Sequence, residues 1–152
     1  MLSNGFKAGL TLVVSFACVA SSLRAIAEQV LLPSIHERLG AGASVKIVCF
    51  GDSVTGVYYH SGGRRAYPEM LETALNKLFP AATVHVINAG VSGHSTADGI
   101  ARLKGGVLKH RPDLVTVMFG LNDMVRVPLD QFRGNLRKIT AQIRSSGLSG
   151  LK

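Results

Sequence analysis

The clearest signal in the chain is an alternation of short apolar runs with longer amphipathic stretches. Residues 45–50 (VKIVCF), 83–88 (TVHVIN) and 114–119 (LVTVMF) are apolar and rich in β-branched side chains, and Gly51, Gly90 and Gly120 follow them. That pattern predicts three buried strands. Residues 67–78 place Met70, Leu71, Ala74, Leu75 and Leu78 at helical spacing, with Pro80 as a stop. Residues 97–108 carry Ile100, Leu103 and Val107 and are loosened by Gly105 and Gly106. Residues 129–145 set Leu129, Phe132, Leu136, Ile139 and Ile143 on one face, which makes them the best helix in the sequence. A β-α-β-α-β-α order without internal repeats predicts one α/β domain, a parallel sheet with helices on both faces in three α/β/α layers.

The N-terminus changes how the length of 152 residues is read. Lys7 precedes an apolar run over residues 8–20, and Ala25-Ile26-Ala27 has the A-x-A form of a signal-peptidase site. Residues 1–27 are therefore expected to be a signal peptide cleaved after Ala27, which makes the mature protein secreted or periplasmic. The apolar run falls short of the roughly 20 residues that span a bilayer, so no stable membrane span is expected after cleavage. Residues 28–44 contain Pro33, Gly40 and Gly42 and read as a linker or peripheral lead-in, and residues 45–152 form the domain.

Composition adds exclusions. The formal charge of +8 is uneven: residues 28–100 carry a net −1 and residues 101–152 a net +7. Arg133, Arg137 and Arg144 form a stripe beside the apolar face of the last helix and read as a solvated surface. Without interleaved aromatics, zinc-finger spacing or an RNA-binding signature, nucleic acid is not an expected partner. After signal cleavage Cys49 is the only cysteine, expected as a small buried residue without a disulfide.

Parallel sheets bind ligands beyond the carboxyl ends of their strands. Strand one is followed there by Gly51-Asp52-Ser53-Val54-Thr55, strand two by Asn88-Ala89-Gly90-Val91-Ser92-Gly93-His94-Ser95, and strand three by Gly120-Leu121-Asn122-Asp123. A hydroxyl, a glycine-rich turn and a carboxamide at one rim are the parts of acyl transfer: a nucleophilic oxygen and donors for the oxyanion formed when it attacks a carbonyl. In this order the three segments resemble the first three blocks of the SGNH (GDSL) hydrolase family, esterases and acylhydrolases with a flavodoxin-like sheet. Val54 stands where the family name has leucine, and the resemblance runs from Val45 to about Ser145.

The resemblance implies Ser53 as nucleophile, its own N–H as one oxyanion donor, the Gly90 N–H as a second and the Asn122 side chain as a third. It implies no metal and no cofactor, and a small-molecule, carbohydrate or lipid ester as substrate. Ser92 lies one residue short of a Gly-x-Ser-x-Gly elbow and reads as a turn residue. Asp52 and Asp123 are expected to bond within their own loops, and Arg64 and Arg65 to be solvated.

A serine is a poor nucleophile without a base. In the family that base is a histidine with an aspartate three residues before it, beyond the third block. The 29 residues after Asp123 contain no histidine. His85 reads as structural, His36 and His110 lie away from the rim, and His60 and His94 lie in rim loops, where either could substitute as base and where a substrate contact by His94 is the more expected of the two roles. The sequence is therefore expected to be a fragment whose third strand is an exposed apolar edge. The alternative is an inactive SGNH-like domain that acts as a carbohydrate-binding or interaction module. Oligomeric state is not specified by any of these features.

Overall fold

The computed structural model describes residues 33–58 and 61–147, so the expected signal peptide lies outside the described residues. Three strands, β1 (Ser44–Gly51), β2 (Thr83–Gly90) and β3 (Leu114–Met118), form a parallel sheet in the order β2-β1-β3. Five α-helices accompany them among the described residues: α1 (Pro33–Gly40), α2 (Tyr67–Leu78), α3 (Thr96–Gly106), α4 (Asp123–Arg126) and α5 (Leu129–Ser145). This is the flavodoxin-like α/β arrangement, and each expected strand and helix is present.

The central strand explains the layering. Val45, Ile47 and Cys49 point to one face, where they pack with Ile35, Leu39, Ala82 and Val84 and with Tyr67, Leu71, Leu75 and Phe79. Val48 and Phe50 point to the other, against Leu103, Val107, Ile139 and Ile143. Thus α1 and α2 cover one side and α3 and α5 the other, as the period-two alternation of a strand buried on both faces requires. Cys49 is buried and free, as its apolar neighbours in sequence suggested.

Four differences from the sequence reading have physical causes. Residues 33–40 of the lead-in form a helix, because Ile35 and Leu39, one turn apart, bury themselves in the core. The second predicted helix splits at Val107: α3 ends at Gly106 and a 3₁₀ turn, Leu108–His110, follows. On α2, Met70 and Leu78 are 62% and 71% exposed, so its apolar face is narrower than its spacing suggested. On α5 only Ile139 and Ile143 are buried, and Leu129 is 60% exposed, so the buried part of its apolar face lies in its C-terminal half. No helix among the described residues is long and apolar enough to cross a membrane.

Two outcomes follow. Leu39→Ala should cost about 2–5 kcal/mol in denaturant unfolding, the range for a truncated core leucine, whereas a peripheral linker would change by about 0.5 kcal/mol or less. Because β3 is bonded only to β1 among the described residues, sedimentation velocity should show association that grows with concentration. A soluble monomer with a sharp reversible melt would contradict this.

Candidate active site

The strands end together. Gly51 of β1 is in register with Gly90 of β2 on one side and Met118 of β3 on the other, so the three following segments leave the sheet along one rim. The first turns tightly: the Asp52 carbonyl accepts the N–H groups of Thr55 and Gly56, and the Asp52 carboxylate accepts the Val54 N–H at 2.9 Å. Asp52 thus bonds within its own loop as expected. Ser53 lies inside this turn and is 6% exposed.

Gly90 is pressed against the same turn. A Cβ at position 90 would lie 2.3 Å from the Gly56 nitrogen and 2.7 Å from Gly56 Cα and the Thr55 carbonyl carbon, all backbone atoms. Only glycine permits this approach. Its N–H is already engaged, donating to Asn88 Oδ1 at 3.0 Å, while Asn88 Nδ2 donates to Glu69 Oε1 at 2.8 Å and is held in that orientation. Three residues on, Gly93 has φ +76, a left-handed conformation in an open turn with nothing within 4 Å of a Cβ position. Among the described residues no acceptor faces its N–H. Ser92 is an exposed turn residue, as read from the sequence.

Asn122 closes the third side. Its Nδ2 donates to the His94 carbonyl at 2.9 Å and faces Asp52 Oδ2 at 3.5 Å. The Ser53 turn is therefore in touch with Gly90 through Gly56 and with Asn122 through Asp52. Asp123 departs from expectation: instead of bonding its own loop, its buried carboxylate accepts the Thr96 N–H at 2.9 and 3.2 Å and the Thr96 hydroxyl. Asn135 Nδ2 donates to the same hydroxyl at 3.0 Å, so α3, α4 and α5 share one buried polar junction directly behind Asn122. The start of α3 is held further by Asp98, whose carboxylate accepts the Ser95 N–H and hydroxyl at 2.8 Å each. The Ser95 backbone and side-chain bonds hold the Asp98 pKa below the usual carboxylate value.

The histidines divide by position. His36 meets Phe79 edge-on, His85 is exposed beside Glu72, and His110 lies in the 3₁₀ turn that leads into the opposite end of β3. Burial, followed by the Lys109 and Lys46 charges, pushes the His110 pKa down. His60 lies outside the described residues, and Arg64 and Arg65 are exposed. His94 is at the rim, and its Nδ1 accepts from Arg102 Nε at 3.1 Å. Arg102 escaped the sequence reading because one arginine on a helix carries no periodic signal. Among the described residues no group of three His, Cys, Asp or Glu side chains is placed to hold a metal.

The packing around Gly90 gives a direct check. Gly90→Ala should destabilise the fold by about 1–3 kcal/mol in chemical denaturation, since only backbone could move aside. A neutral substitution would show that the two turns are further apart than described.

Comparison with known proteins identifies the family. Residues 49–150 match the model of the GDSL-like lipase/acylhydrolase family. An arylesterase of Vibrio mimicus is 37% identical over 106 residues, covering 69% of this chain and 52% of the relative. An acetylxylan esterase of Geobacillus stearothermophilus is 26% identical over 122 residues, covering 68% and 56%. The crystal structure of AlinE4, an SGNH-hydrolase family esterase, superposes with a TM-score of 0.58 at 35% identity, covering 69% of this chain and 56% of that one. The chain thus spans about half the length of these relatives. With a family model matched across most of the described sheet and helices, the chain belongs to the GDSL-like lipase/acylhydrolase family, the SGNH hydrolases.

Proposed function

We propose that the protein is an exported carboxylic ester hydrolase in which Ser53 is the nucleophile. One observation carries this reading: the turn that holds Ser53 is locked between Gly90 and the Asn122 amide at the aligned ends of three parallel strands. A hydroxyl oxygen there attacks an ester carbonyl, and the negative charge that develops on the carbonyl oxygen is met by N–H donors. The Ser53 N–H and Asn122 Nδ2 serve as two of those donors. For the third the proposal moves from Gly90 to Gly93. The Gly90 N–H is spent on Asn88 and its missing Cβ serves close packing, whereas the Gly93 N–H faces no acceptor among the described residues.

The Asn122 amide is bonded to the His94 carbonyl. A carboxamide has two N–H groups; the one on the His94 carbonyl holds the side chain in place, and the other, only loosely engaged by Asp52 Oδ2 at 3.5 Å, turns to the oxyanion. Asp123, anchored to Thr96, keeps the preceding residue at the rim. These residues bind and stabilise; the proton acceptor for Ser53 is not assigned to any described histidine. A carbohydrate O-acetyl ester is the first substrate to try, because an acetylxylan esterase is among the relatives and the expected export would bring the protein to extracellular polymers.

A fluorophosphonate probe tests the nucleophile. Labelling of the folded protein should disappear in Ser53→Ala and slow by about 10²–10³-fold in Asn122→Ala, the usual effect of removing one oxyanion donor. Labelling that persists in Ser53→Ala rules out this nucleophile. Absence of labelling in folded wild-type protein would favour a binding module built on the same rim.

A further inference from the structure

The guanidinium of Arg102 has an unusual set of partners. From α3 it reaches across the sheet end, where Nη2 donates to the Gly51 carbonyl at 2.7 Å and Nη1 to the Ala89 carbonyl at 2.9 Å. Its third edge, Nε, donates to His94 Nδ1 at 3.1 Å. The plane is braced by Phe50, whose ring centre is 4.5 Å from Arg102 Cζ, and Phe50 itself packs edge-on against Phe119 at 5.0 Å. One side chain therefore joins the last residue of β1, the end of β2 and the rim histidine. A lysine could not do so, because an ammonium lacks the planar fork that spans separated acceptors.

The bond to His94 has a consequence for proton placement. An arginine Nε–H can only donate, so the histidine nitrogen it meets must present a lone pair. With Nδ1 accepting, a neutral imidazole carries its proton on Nε2. Burial lowers the Arg102 pKa and the Asp98 carboxylate opposes this, and a guanidinium keeps its proton throughout the physiological range. The other charged groups about the turn are Asp98, which bonds Ser95 and interacts electrostatically with His94, and Arg126, whose Nη1 donates to the Gly93 carbonyl at 2.6 Å. Neither has a hydrogen bond to the imidazole. Asn122 takes the His94 carbonyl, so the backbone of this residue is held as firmly as its ring.

We propose that Arg102 is a positioning residue that locks His94 in the neutral Nε2–H form, making it a hydrogen-bond donor at the rim and removing it as the proton acceptor for Ser53. The ligand that matches such a donor is an acceptor oxygen, either the alkoxy oxygen of an ester or a hydroxyl of its alcohol part. The choice of an ester as ligand rests on the proposed function; the tautomer does not.

Magic-angle-spinning ¹⁵N spectra of the ¹⁵N-histidine-labelled full chain read the tautomer directly and do not depend on particle size or on Ser53 reactivity. The His94 signals are those lost in His94→Gln. At neutral pH they should show a protonated Nε2 and an unprotonated Nδ1, and folded Arg102→Met should lose this bias and populate the Nδ1–H form. A wild-type Nδ1–H form or imidazolium overturns the proposal, as does an unchanged spectrum in folded Arg102→Met. Should that variant not fold, Arg102→Lys replaces it, with the same loss of bias expected, and the wild-type spectrum alone still decides between donor and acceptor. Failure of fluorophosphonate labelling together with the expected spectrum would sink the esterase reading and leave this one standing.

Discussion

β1 is hydrogen-bonded to a neighbour on each side and covered by side chains on each face, and everything at the rim depends on that double burial. A strand enclosed in this way cannot slip by one residue without turning Val45, Ile47 and Cys49 into the space held by Val48 and Phe50. Its register is therefore over-determined, and so is the position of Gly51, where it ends. Since β2 and β3 are aligned to it, the loops after all three strands start from known places, and the Ser53 turn inherits its precision from the core beneath it.

Glycine completes what the register begins. Gly90 allows the β2 end to touch the Gly56 backbone, and this contact brings the second loop against the first. The third loop is brought in by polar groups, chiefly the Asp123 carboxylate on Thr96 and the Asn122 amide on His94. Arg102 then ties the first two strand ends together from the side. Apolar packing sets the coarse geometry of the rim, and a few charge-assisted hydrogen bonds in a half-buried setting set the fine geometry.

How much of this could be read beforehand depends on the range of the interactions involved. The strands, α2 and α5 were legible because hydrophobic period is a local property, and the three motif segments were legible because each follows a strand. α1 was hidden by its proline and glycines, since two buried side chains, Ile35 and Leu39, are too few to make a periodic signal. Asp123 was misread because its partner is 27 residues away in sequence. The engagement of the Gly90 N–H was equally invisible: it depends on Asn88 being turned by Glu69 across 19 residues.

By itself, then, the sequence determined the alternation of elements, the parallel sheet they must form and the identity of the residues that follow each strand. Period and motif are written along the chain, and burial of both faces of β1 leaves little choice of layer. Only the tertiary structure decided which N–H groups at the rim are free, which nitrogen of His94 accepts a proton donor, and what Arg102 holds. Those outcomes are set by donor–acceptor distances between segments tens of residues apart, a quantity that exists only once the sheet has brought their ends together.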